Sequence, residues 1–419
     1  MEKSSQVNGK KFLLTSYSFS KFGGAELNTV ELADYLVENG ADVDFFSYDA
    51  DGPLAEYVEK KFNKKILSDK IKPLTQREED LQVTPLQVED YDYIWVGANI
   101  IPISIIRQVN SAKRLPKFLF IHMSSLVGFP LDAPLLPEFE SKIASRVLTI
   151  GKANTENNIY RILGDTVQVA DWLNPVPVEY KELTPRSGDL KKIAVISSSH
   201  PTNEVMEATK ILSEQGVEVE YIGEYANNHK LVDAEIYNEY DLIIGIGKNV
   251  KYSLVSGVPI YLYGRFGGPG YLTDSNLTTA TTTNFSGRGF EKKTSTQIAT
   301  EIIDSYGSAL AFHEKNRDAF IEQYSIDVVV ESLFSKLNKE QSKKVKFSNQ
   351  YINWLVSMQI NLMQRLQNTA EMIKAREKVA QLERQLIAKN KEIIGIYNSK
   401  SWKITKPLRA AMKLLKRSS

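Results

Sequence analysis

The chain has 419 residues, 42% of them hydrophobic and 25% charged, with a formal charge of +1 and no cysteine. A length of this order calls for about two or three cores, and the balance of apolar and charged residues is enough to build them. Near-neutral charge gives no reason to expect nucleic acid as a partner, and the missing thiols exclude disulfides, thiolate zinc sites and a cysteine nucleophile.

The N-terminal MEKSSQVNGK lacks the apolar stretch of a secretory signal. No uninterrupted apolar run reaches the ~18 residues of a membrane span, so a cytoplasmic protein is expected. The first apolar run, 12–16, reads as a strand that leaves through Gly23 and Gly24 into an amphipathic helix over 25–39, followed by a strand at 43–47. Further strands are expected at 93–96, 118–121 and 146–150. The polar, proline-punctuated stretch 67–85 reads as a surface excursion.

Near NPVPVEYKELTPRSGD, residues 174–189, the rhythm stops, and this segment reads as an interdomain linker. A second series follows: strand 193–197, helix 203–214, strands 217–222 and 241–244, a short helix at 252–256 and a strand at 259–262. Alternating strands and helices in two halves predict an α/β fold with two Rossmann-like domains facing across a cleft. The domains are placed at 1–180 and 190–325, with a connecting helix over 326–345. Ligands of open α/β sheets sit at the carboxyl ends of the strands, so the cleft is where a site is expected.

From 346 to 398 the pattern becomes a long helix. Met372, Ala375, Val379, Leu382, Leu386, Lys389, Ile393 and Ile396 alternate spacings of three and four, a heptad seam with one polar interruption. A homodimeric coiled coil is the first reading, and a helix folded back on the body is the alternative. The end, 399–419, is basic and carries Trp402, Ile404, Leu408, Met412, Leu414 and Leu415. That composition suits peripheral contact with an anionic membrane, or a solvated tail.

Several residues are candidates for anion binding. Gly23 and Gly24 open a helix whose unpaired N–H groups favour a phosphate, although a tight turn would need the same glycines. A second cluster, GIGKNVKYS, brings Gly247, Lys248, Lys251 and Ser253 to another strand-to-helix turn, a combination suited to a pyrophosphate. The dinucleotide pattern GxGxxG and the Walker pattern are both absent. Gly267 and Gly268, in the glycine-dense GRFGGPGYL, imply close approach to a ligand or to the other domain. Arg288, between two glycines, can contact a phosphate in bidentate fashion. Ser198 and His200 lie at the first strand-to-helix turn of the second domain. His122 ends a strand that points into the cleft.

At these residues the chain resembles a family. GGAELNTVELADYLVENGADV from Gly23, NPV from Asn174, SGVPI from Ser256 and GGPG from Gly267 resemble the GT-B glycosyltransferases of the retaining group called family 4, over about residues 10–335. The resemblance implies that a nucleotide-diphosphate sugar binds mainly to the second domain and a glycan or lipid-linked acceptor to the first, with no metal required. It implies that Gly23 and Gly24 approach the donor phosphates, that His122 lies beside the transferred sugar, and that the product is a bacterial surface polysaccharide.

The chain also departs from that family. The Arg and Lys after the first strand of the second domain are replaced by SSSHPTNE, and Tyr252 stands where the second Glu of the acidic pair would be. Lys248, Lys251 or Arg288 are the candidates for restoring the lost positive charge. The departures keep two other readings open: a catalytically silent glycan-binding or scaffold subunit, and a sugar-nucleotide epimerase on the same fold.

Overall fold

In the computed structural model, residues 5–71, 80–124, 133–197, 200–223, 226 and 231–409 are described. The chain divides into two compact units, Met1–Asn361 and Leu362–Ser419.

The first unit holds two large sheets and a two-stranded antiparallel one, Lys70–Ile71 with Leu81–Gln82. Six strands, β1 (Lys11–Thr15), β2 (Asp42–Phe46), β3 (Tyr93–Gly97), β4 (Lys117–His122), β5 (Ala144–Thr149) and β6 (Val169–Asp171), form a parallel sheet in the order β2-β1-β3-β4-β5-β6. Strands such as FLLT and YIWVG are apolar at nearly every position, as a sheet covered on both faces requires. The helix α1 (Gly24–Glu38) buries Val30, Leu32, Ala33 and Leu36 against it. Beneath them Trp95 and Trp172 meet edge-on at 4.8 Å. The Trp172 Nε1–H donates to Asn28 Oδ1 at 2.6 Å, and the Asn28 amide donates to Asn174 Oδ1 at 3.1 Å. The last of these contacts pins the start of the segment read as a linker.

The second sheet runs β8-β7-β9-β10-β11, from β7 (Lys192–Ile196), β8 (Glu218–Ile222), β9 (Leu242–Gly245), β10 (Ile260–Gly264) and β11 (Gly267–Tyr271). Its first four strands are parallel, and β11 returns antiparallel along β10. That hairpin accounts for the glycine density after residue 264. Gly267 has φ 91°, in the left-handed region, and a Cβ on Gly268 would lie 2.0 Å from the Leu262 carbonyl oxygen. The close approach expected of these glycines is made by their own chain.

Between β9 and β10 lies α2 (Lys248–Ser256), which starts four residues before the expected helix because Gly247, with φ 63°, turns the chain directly into it. After β11 the helix α3 (Tyr306–Tyr324) packs Phe312, Phe320 and Tyr324 into the core of the second lobe. The chain then crosses back: Val176 N–H donates to the Tyr324 carbonyl at 2.7 Å and Ile326 N–H to the Val176 carbonyl at 2.9 Å. The following helix, α4 (Ile326–Leu337), lays Val330, Leu333, Phe334 and Leu337 in the core of the first lobe. Two Rossmann-like lobes joined by adjacent crossing segments are the fold class expected from the sequence.

A long helix, α5 (Asn349–Asn398), begins in the first unit. Asn110 and Phe347 exchange two hydrogen bonds of 2.8 Å. About three turns into the helix, Gln359 donates to the Asn99 carbonyl at 2.8 Å and accepts from the Tyr48 hydroxyl at 3.1 Å. The start of α5 is thus part of the first lobe, and the second unit begins at Leu362. In that unit the helix continues to Asn398, and Ser399 caps a short helical turn, Lys400–Ile404, by accepting from the Trp402 N–H. The Arg409 guanidinium lies 3.7 Å over the Trp402 ring. Ile404 and Leu408 are exposed. Met412, Leu414 and Leu415 lie outside the described residues. Among the described residues no helix is long and apolar enough to cross a membrane.

Candidate functional site

An open cleft of about 1190 Å³ runs between the lobes. The first lobe contributes Gly151, Thr155 and Asp171, at or just beyond the carboxyl ends of β5 and β6; the second contributes Lys251, Thr281 and Asn284. Gly247 positions this wall. Its left-handed φ starts α2, and its N–H donates to the Phe285 carbonyl at 2.9 Å, tying α2 to the loop that follows residues 277–282.

Lys251, one turn into α2, is 2% exposed. Its ammonium donates to Asn284 Oδ1 at 2.8 Å and has no carboxylate partner among the described residues. The rings of Phe285 and Tyr324 lie 5.8 and 5.7 Å away. Burial, with the charge of Lys248 as a second cause, pushes the Lys251 ammonium down to about 7. A cation short of counter-charge at the wall of a cleft favours an anionic ligand, whose arrival would restore the charge.

Lys248, one turn earlier, has a different employment. It pairs with Glu31 of α1, and the Tyr252 hydroxyl donates to the other oxygen of the same carboxylate. Tyr252 also stacks on Tyr180, with centroids 4.4 Å apart and planes 8° from parallel. Burial is the largest influence on both ions: it pushes the Glu31 carboxyl up and the Lys248 ammonium down. Where the resembled family carries an acidic residue, this chain therefore has a buried contact between lobes. Glu31 was not singled out in the sequence, because a glutamate inside an amphipathic helix is ordinarily solvated.

The other sequence-selected residues do not line this cleft. Gly23 is the residue before α1, and the Glu26 carboxylate folds back over it, close to the helix N-terminus, where a negative charge is stabilising. Gly24 is the first residue of α1. His122 is 1% exposed, with Nε2 2.7 Å from Glu140 Oε1. Its Nδ1 and Glu140 Oε2 have no hydrogen-bond partner among the described residues. Glu140, on the helix Pro137–Ile143, had no signal of its own in the sequence. Ser253 is fully buried within α2. Gly267 and Gly268 belong to the β10–β11 hairpin, and the Arg288 guanidinium lies 3.9 Å over the Phe266 ring near its turn. His200 has Nδ1 2.8 Å from the Pro201 carbonyl oxygen. Ser198 lies outside the described residues.

No family model and no curated protein matches the chain. Among solved structures, an alpha-glucosyltransferase in complex with UDP aligns with 79% of this chain and all of its own, at 10% identity and TM-score 0.46. The S. aureus MnaA–UDP co-structure aligns with 81% of this chain and all of its own, at 12% identity and TM-score 0.43. The lipopolysaccharide outer core galactosyltransferase WaaB, in its apo form, aligns with 78% of this chain and 99% of its own, at 11% identity and TM-score 0.38. At these scores the likeness assigns neither ligand nor activity to this chain.

Proposed function

We propose that this chain is a glycosyltransferase moving a sugar from a nucleotide-diphosphate sugar to a glycan or lipid-linked acceptor, retaining and metal-independent, in the assembly of a cell-surface polysaccharide. The observation that carries the reading is Lys251: a buried ammonium without a carboxylate partner among the described residues, at the wall of a cleft to which both Rossmann-like lobes contribute. In this reading the bond from the anomeric carbon to the diphosphate breaks as the acceptor hydroxyl bonds to that carbon, and the hydroxyl proton leaves with the diphosphate. Lys251 stabilises the charge that builds on the departing diphosphate. The polysaccharide role and the choice of acceptor rest on the sequence resemblance. The basic end after residue 399 is read as a peripheral anchor at the inner face of an anionic membrane, and the seam from Met372 to Ile396 as a homodimer contact.

A second reading, a catalytically silent glycan-binding or scaffold subunit, is favoured by Tyr252 and Lys248. Both are committed to Glu31 at the place where the family binds donor. Thermal-shift titration with UDP, GDP and dTDP, followed by their sugars, separates the readings. The transferase reading expects at least one nucleotide to raise the melting temperature and its sugar to be consumed. Glycan binding with no nucleotide response and no turnover would leave the scaffold reading.

A further inference from the structure

The second unit presents an apolar stripe that is exposed among the described residues. Met372, Val379, Leu382, Leu386, Ile393 and Ile396 are each between 46% and 61% exposed. They occupy six of eight positions in a seam that alternates spacings of three and four, so on a straight helix they form one face. A face of this kind is matched by another helix with the same spacing, and the positions flanking it decide which helix and in which direction.

With Met372 taken as position a, the flanking g positions are Glu371, Lys378, Gln385 and Glu392, and the e positions are Arg376, Glu383, Asn390 and Tyr397. In a parallel pair each g residue meets the e residue five places further along the partner. Two copies of this chain would then set Glu371 against Arg376 and Lys378 against Glu383, on both sides of the seam. The remaining pairs, Gln385 with Asn390 and Glu392 with Tyr397, carry no like charges. An antiparallel pair that keeps the seam in layers would put Met372 opposite Ile396, pair Lys378 with Glu392 on both copies and set Glu383 beside its own copy, where the charges repel. It therefore has two attractive flanking contacts and one repulsive, against four attractive ones in the parallel pair. The polar interruption, Lys389, does not need to point into the seam, since its ammonium already bonds Glu392 Oε2 of its own helix at 2.8 Å.

We infer that the partner of this face is a second copy of the chain, in a parallel, in-register, two-stranded coiled coil over residues 372–396. The inference rests on reading the seam as a homodimer contact and adds its direction and register. It brings the basic ends of the two copies to the same side, where two tails engage one anionic surface with the avidity of linked sites.

The native chain has no cysteine, so single-cysteine variants report without background. Light scattering on the full chain should give the mass of two chains, and oxidised Met372→Cys should form disulfide-linked dimers. A mixture of Met372→Cys and Ile396→Cys should give no cross-link between the two variants. Glu371→Lys with Lys378→Glu should weaken the dimer about ten-fold or more, and adding Arg376→Glu with Glu383→Lys should restore it. A monomeric full chain would overturn the dimer reading itself. A dimer that cross-links only Met372→Cys to Ile396→Cys, or whose weakened form is not rescued by the second pair of changes, would overturn the parallel register alone. The charge changes lie on exposed helix positions, and far-UV circular dichroism monitors the helix throughout.

Discussion

If a diphosphate binds against Lys251, it must change that residue's protonation, and the size of the change follows from burial. With its ammonium at about 7 in the free protein, Lys251 is roughly one-tenth protonated at pH 8. A bound diphosphate supplies the missing counter-charge and returns the group to the ordinary lysine range near 10.5, where it is almost fully protonated at pH 8. Binding should therefore take up about 0.9 proton, and between pH 8 and 9 the dissociation constant should rise close to ten-fold. The terminal phosphate of the nucleotide, with a pKa of about 6, is already ionised at pH 8 and contributes little. Isothermal titration with UDP, at pH 8 in two buffers of different ionisation enthalpy, measures the uptake directly. Lys251→Met should bind more weakly and show no uptake from this source. A wild-type protein that binds UDP with heats independent of buffer, or a Lys251→Met variant with the same uptake, would refute the reasoning.

Other consequences concern stability. Lys251 titrates lower in the folded chain than in the unfolded one, so from about pH 7 to 10.5 the unfolded state holds more protons and stability should rise with pH, by up to about 1.4 kcal/mol per unit. Lys251→Met should flatten that rise in urea melts. His313 is buried and pushed down to about 4, so between pH 6.5 and 4 the unfolded state again binds more protons and stability should fall as pH falls. His313→Leu should remove up to about 3 kcal/mol of this acid sensitivity, and an unchanged acid limb would contradict it. Glu31→Gln leaves the Lys248 ammonium buried without its counter-ion and should cost about 3–5 kcal/mol in urea unfolding. The double change Glu31→Gln with Lys248→Met should recover most of this, and a loss below about 1 kcal/mol for the single change would mean that the pair is effectively solvated. Removing residues 399–419 should abolish co-sedimentation with anionic liposomes and leave neutral liposomes unaffected; undiminished binding would show that the tail is not the anchor.

Most of the sheet architecture was legible because its strands are buried on both faces and so read as apolar runs. Runs 12–16, 93–96 and 118–121 correspond to β1, β3 and β4 within a residue or two. The strands that were missed lack that signal: β6 has three residues, Lys70–Ile71 and Leu81–Gln82 have two each, and β11 is GGPGY, in which glycine and proline hide a pairing made through the backbone. The same glycines were read as pointing to a ligand because a short-range pattern cannot distinguish a backbone that approaches a ligand from one that approaches its own hairpin.

The segment around Asn174 read as a linker from its composition. Its order comes from Asn28 and from Tyr324, far away in sequence. The site divides along the same line. Lys251 was visible because it is local to a glycine-led helix start. The pairing of Lys248 with Glu31, and of His122 with Glu140, joins residues 217 and 18 positions apart, and neither carboxylate stands out from its neighbours.

The most direct test of the proposal is the location of the nucleotide. A crystal structure with UDP bound should place the diphosphate in the interlobe cleft, with an oxygen about 3 Å from Lys251 Nζ. A diphosphate bound outside that cleft, with Lys251 still facing only Asn284, would contradict it.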